Sequence, residues 1–148
     1  MNEIKKILVP VDFSENSQKI LRTAVEFAAK FKAEVVVVFV VQSFDDYSGF
    51  FVPHMPIIQL EEEMVKSATE KMKSFVAETL NGSVPHSTAI LSGDVVEEIN
   101  RFAGEGKADL IVMGTHGYKG LDKILFGSVA EKIVKTAPCP VLTINPYR

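Results

Sequence analysis

Val35-Val36-Val37-Val38-Phe39-Val40-Val41 sets the architecture of this chain. A β-branched run this unbroken has no polar face, so it reads as a central strand covered by helices on both sides, as the strands of parallel sheets are. On its N-terminal side, Ile20, Leu21, Ala24, Phe27, Ala28 and Phe31 recur at helical spacing behind the capping residue Ser14, and Ile4 to Val11 precedes them as a buried strand. On its C-terminal side a charged helix runs from Ile57 to Leu80 and closes near Asn81-Gly82. A weaker strand from Val84 to Leu91 and a helix from Val95 to Ala103, ending at Gly104, come next. Ala108 to Met113 is a strong short strand that runs straight into Gly114. Ser128, with Glu131 three residues on, is expected to open the last helix through a capping box, and Pro138 precedes a final strand, Val141 to Ile144.

Strands alternating with helices predict a three-layer α/β/α fold around a five-stranded parallel sheet, because right-handed crossovers are what such connections permit. Ligands in this architecture bind beyond the carboxyl ends of the strands, which singles out the loops after the first, second and fourth. At 148 residues, 47% of them apolar, the chain is expected to form one domain over residues 1–148. Its 16 basic and 19 acidic side chains are spread without a basic stripe, which makes nucleic acid a poor partner. Cys139 is the only cysteine, so no intrachain disulfide forms and a reducing, cytoplasmic setting is expected. Glu3, Lys5 and Lys6 precede only a short apolar run, and no later stretch approaches the roughly 20 apolar residues of a membrane span. Neither a signal peptide nor a membrane segment is expected.

The loop after the fourth strand reads Met113-Gly114-Thr115-His116-Gly117, then nine residues, then Gly127-Ser128. Glycines let a backbone approach a ligand and turn N–H groups toward it, while a helix start offers unpaired amides and the positive end of its dipole. Phosphates suit both devices. Each glycine taken singly reads as a turn residue; the combination reads as an anion cradle.

The full spacing, Gly114, two residues, Gly117, nine residues, Gly127-Ser128, resembles the nucleotide-binding signature of the universal stress protein family. Ile7-Leu8-Val9-Pro10-Val11-Asp12-Phe13-Ser14 is similar to that family's opening strand and turn, Gly93 begins a segment like its third helix, and Cys139-Pro140-Val141-Leu142 is similar to its closing strand. The resemblance covers essentially the whole chain. It implies the adenine nucleotide alpha hydrolase-like fold with strand order 3-2-1-4-5, and membership of the ATP-binding branch. It further implies that Gly114, Gly117, Gly127 and Ser128 line the phosphates and ribose, with Val129 presenting the next amide. Pro10, Val11 and Asp12 would line the adenosine side, Val40 would face the base, and Met113 and His116 would lie close to the nucleotide. A homodimer through the last strand, Val141 to Ile144, is implied as well.

Asp12 is expected to hydrogen-bond the adenosine or, through water, to help hold Mg²⁺ beside the phosphates; the competing role is helix initiation. His54, His86 and Cys139 have no zinc-like spacing, and no protein metal cage is expected. Lys119 and Lys123 read as solvated loop lysines. Phe44, Tyr47, Phe50 and Phe51 make the connection from Ser43 to Pro56 unusually apolar, as a packed loop, a lid or a partner surface would be.

Phenylalanine precedes Gly127 and no P-loop lysine is present, and neither Asp12 nor His116 has an orienting partner in the sequence that makes it a persuasive base. The leading expectation is therefore an ATP-binding (or ADP- or AMP-binding), nucleotide-responsive dimeric module in stress response. The alternative is a slow ATPase, or another phosphoryl- or adenylyl-transfer enzyme using the same site. A receiver domain lacks its acidic pair and lysine here, and FMN or NAD binding lacks a glycine in the first turn, Pro10 to Ser14.

Overall fold

The computed structural model describes residues 3–42, 57–116 and 122–148, with backbone alone for residue 57 and residues 122–126. The elements run β1 (Lys6–Pro10), α1 (Glu15–Phe31), β2 (Glu34–Gln42), α2 (Ile57–Thr79), β3 (His86–Gly93), α3 (Val95–Glu105), β4 (Leu110–Gly114), α4 (Asp122–Thr136) and β5 (Val141–Ile144). The strands form one five-stranded sheet in the order β3-β2-β1-β4-β5, every neighbouring pair parallel.

The valine run forms β2, and its lack of a polar face has a plain cause. Val35 and Val37 pack with Ile7 and Val9 of β1 against Ile20, Leu21 and Ala24 of α1 and Met72 and Phe75 of α2. Val36 and Val38 point the other way, joining Leu8 and Ile111 against Ile99 of α3 and Ile133 of α4. Both faces of β2 are therefore core, and each valine so buried contributes about 1.5–3 kcal/mol. Local signals fix the helix starts. Ser14 Oγ accepts from the Ser17 N–H at 3.2 Å to cap α1, and Asp94 Oδ2 accepts from the Glu97 N–H at 3.0 Å to cap α3.

The last helix departs from the sequence reading. α4 begins at Asp122, which puts Gly127 and Ser128 at its sixth and seventh positions, and Ser128 is not its cap. Asp122-Lys123-Ile124-Leu125 holds no helix breaker. Once a helix has nucleated, each added residue gains a backbone bond, and that outweighs the preference of a serine for a cap. For the same reason α3 passes through Gly104 to Glu105. The aromatic connection from Ser43 to Pro56 lies outside the described residues, as does Gly117.

Candidate functional site

In the order β3-β2-β1-β4-β5 the direction of winding reverses between β1 and β4, so the loops leaving these two strands stand side by side at the carboxyl end of the sheet. The loop after β1 is tightly tied. Asp12 Oδ1 accepts from the Ser14 N–H at 2.9 Å and from Ser17 Oγ at 2.7 Å, and the Asp12 N–H donates to Ser17 Oγ at 2.8 Å. One carboxylate oxygen of Asp12 is thus spent on the turn that starts α1, as the competing reading required, and no partner is recorded for the other oxygen among the described residues. Next to it Phe13 adopts φ 67°, a left-handed conformation costly for a bulky residue. Its ring is held by stacking on Phe39 at 4.6 Å and by an edge contact to Phe75 at 5.6 Å.

The loop after β4 is anchored to β5. The Thr115 N–H donates to the Ile144 carbonyl at 3.0 Å, and Thr115 Oγ1 lies 2.8 Å from His116 Nδ1. Gly114 is buried, and a Cβ there would stand 3.0 Å from Ile20 Cδ1 and 3.2 Å from the His116 carbonyl. Packing against α1 therefore leaves little room for a side chain at this position. Gly127 differs. Among the described residues, a Cβ on it would meet the Thr115 carbonyl at an ordinary 3.6 Å and nothing closer. This glycine sits inside a helix, where it costs about 1 kcal/mol relative to alanine.

The residues singled out from the sequence fall into two groups. Pro10, Val11, Met113 and Gly114 are buried, while Asp12, Val40, His116, Gly127 and Val129 are half-buried and Ser128 is exposed. They also straddle the sheet. Val11 belongs to the core beneath α1 and α2, whereas Met113, Val40 and Val129 belong to the core beneath α3 and α4. A groove of about 320 Å³ on the first face touches Asp12, Phe13, Phe39 and Val41, and one of about 270 Å³ beside α4 touches Thr115, Gly127, Ala130 and Thr143. The amides of Gly127, Ser128 and Val129 lie past the first four helical positions, where an α-helix bonds its own N–H groups. Among the described residues these three amides therefore lie inside α4 and not at its start.

Sequence reasoning missed the parts played by Ser17 and Phe13 in this loop. The Asp12 to Ser17 spacing was available as a turn signal. Among the described residues no group of three or more His, Cys, Asp or Glu side chains is placed to hold a metal ion, and no helix is long and apolar enough to cross a membrane. Burial, followed by the charge of Asp109, pushes the Cys139 thiol above its ordinary range, so this residue is a weak nucleophile.

Fold and crevice define a class: a doubly wound parallel α/β protein whose winding reverses between its first and fourth strands. The chain belongs to the universal stress protein family, which it matches over residues 3–145. It is 40% identical over 149 residues to the universal stress protein MJ0531 of Methanocaldococcus jannaschii, covering 97% of this chain and 84% of that one. The solved universal stress protein UspA from Lactobacillus plantarum superposes with a TM-score of 0.73 at 28% identity, covering 98% of this chain and all of the other. A universal stress protein from Archaeoglobus fulgidus solved in complex with dAMP superposes with a TM-score of 0.66 at 26% identity, covering 97% of this chain and 100% of that one.

Proposed function

We propose that this protein binds an adenine nucleotide, ATP with its di- and monophosphate relatives as competitors, in the crevice beyond β1 and β4, and that it works as a nucleotide-responsive module in stress response. The observation that carries the reading is Gly127, a glycine inside α4 beside the Thr115 carbonyl, where the described residues would leave room for a Cβ. A glycine kept there suits a backbone that must come close to a ligand. The dAMP complex of the Archaeoglobus relative supports the same class of ligand.

The residues fit a nucleotide at two levels. Half-buried Val40 and Val129 offer apolar walls to a base, and Asp12, with Oδ1 already engaged, keeps a second oxygen for the adenosine or for a magnesium-bound water. The amides of Gly127, Ser128 and Val129 serve the phosphates only if α4 starts later in the bound state than in the free one. A poor helix former at residue 127 lowers the cost of that shortening by about 1 kcal/mol. A nucleotide that binds only the shortened form shifts the population toward it, which makes the protein a sensor. We read the chain as a single cytoplasmic domain that pairs with a second copy along β5, whose outer backbone edge has no strand beside it among the described residues.

Calorimetric titration of ATP into metal-free and Mg²⁺-loaded protein tests the reading. One saturable site per chain is expected, and folded Gly127→Val protein is expected to lose it. Parent-like affinity in that variant sinks the site, and multiple turnover of ATP by purified protein replaces the sensor with an enzyme.

A further inference from the structure

Beyond β5 the chain turns back over the start of α1. The Ile144 carbonyl accepts from Thr115, Pro146 is buried, and its carbonyl accepts from Lys19 Nζ at 3.4 Å. The Tyr147 N–H donates to Asn145 Oδ1 at 3.0 Å, which closes the turn. This places the Tyr147 hydroxyl 3.1 Å from Nδ2 of Asn16, which donates to it, and the phenol ring edge-on to the His116 imidazole, with centroids 5.2 Å apart and planes at 72°.

Tyr147 is 51% exposed, so it adds little to the core, yet Asn16, only 7% exposed, commits a buried amide to holding it. The bond from the buried Asn16 amide restricts the position of the phenol. The fixed ring in turn abuts one side of His116, while Thr115 Oγ1 takes up Nδ1. Nε2 has no recorded partner among the described residues.

We propose that Tyr147 is a positioning residue for the nucleotide site: tied to Asn16, it holds the His116 imidazole so that Nε2 is the nitrogen offered to the ligand. The inference rests on the nucleotide reading above and extends it to a residue that lies 31 positions from His116 along the chain. Because Tyr147 follows β5 directly, the nucleotide loop and the edge strand share one mechanical element.

The test has two readouts. In nucleotide-free protein, the ring ¹⁵N resonances of His116 should move in Tyr147→Ala while those of His86 stay in place, and Tyr147→Phe, which keeps the ring contact but loses the bond to Asn16, should move them by an intermediate amount. In ATP titrations, Tyr147→Ala should weaken binding about two- to tenfold, the range expected for loss of an aromatic pair. The double variant with His116→Ala should be no weaker than His116→Ala alone. Unchanged His116 resonances, or losses that simply add, overturn the proposal. If the parent takes no ATP at all, the nucleotide reading falls, and the His116 resonances still decide whether Tyr147 positions the ring.

Discussion

Asp12 and Ser17 exchange hydrogen bonds across the first turn of α1: the Asp12 N–H donates to Ser17 Oγ at 2.8 Å, and that hydroxyl donates back to Asp12 Oδ1 at 2.7 Å. The exchange aims the carboxylate while it starts the helix. Structure and proposed ligand contact therefore share one side chain, of which the helix-starting role is the one the bonds display.

Ser17→Ala removes both bonds and strands the Asp12 N–H. Since Ser17 is buried, a loss of about 1–3 kcal/mol is expected, seen as a lower midpoint in urea unfolding. ATP affinity should fall in the same variant, because Asp12 is freed to rotate. An unchanged midpoint contradicts the bonding described.

Gly114→Ala places a methyl group 3.0 Å from Ile20 Cδ1 and 3.2 Å from a backbone carbonyl. Overpacking of this kind costs about 1–3 kcal/mol. Ile20→Val, combined with it, removes the Cδ1 atom and should recover part of that loss in thermal unfolding; no recovery would mean that the backbone contact dominates.

Gly127→Ala should have effects of opposite sign on stability and on binding. The free helix accommodates the methyl group, so the protein should gain about 1 kcal/mol. ATP binding should weaken, since a better helix resists the release of amides 127–129. Hydrogen exchange adds a check: in the parent, ATP should speed exchange at residues 123–126, which leave the helix, and slow it at residues 127–129. Gains or losses of the same sign in both measurements contradict a helix that shortens on binding.

Arg101 donates to both oxygens of Glu98, at 2.9 and 3.0 Å. These bonds, aided by the arginine's charge and opposed by partial burial, hold the Glu98 carboxyl below its ordinary value of 4.5. A carboxylate whose folded pKa is depressed stabilises the fold fully above the unfolded value and loses that contribution as pH falls through the folded one. The arginine is solvent-facing, so screening keeps the contribution of the pair small. The melting-temperature difference between parent and Glu98→Gln should be greatest near neutrality and fade as pH drops through the depressed folded pKa of Glu98. Gly93→Ala should reproduce much of that loss, because φ there is +142° and a Cβ would press on Glu98 Cγ at 2.9 Å.

Periodicity carries the fold because it is local. Val35 to Val41 needed helices on both faces and received them, and β5 occupies Val141–Ile144 as read. The start of α4 was not legible, because Ser128 and Glu131 spell a capping box whether or not a helix already runs through them. Glycine was ambiguous for a related reason. Gly114 and Gly127 look alike in the sequence, and only the neighbours a Cβ would meet separate a packing glycine from one beside which the described residues leave room for a Cβ. The bond from Asn16 to Tyr147 joins residues 131 positions apart, and no local pattern announces it.

Titration of ¹⁵N-labelled protein with ATP reports where the nucleotide sits. The amides of Asp12, Thr115, His116, Gly127, Ser128 and Val129 should shift together along one saturating isotherm. Those of Lys6 and Gly106, joined at the opposite end of the sheet by the 2.9 Å bond from Lys6 Nζ to the Gly106 carbonyl, should stay fixed. Absence of saturable shifts, or shifts gathered at Lys6 and Gly106 in place of the crevice beyond β1 and β4, would contradict the nucleotide site.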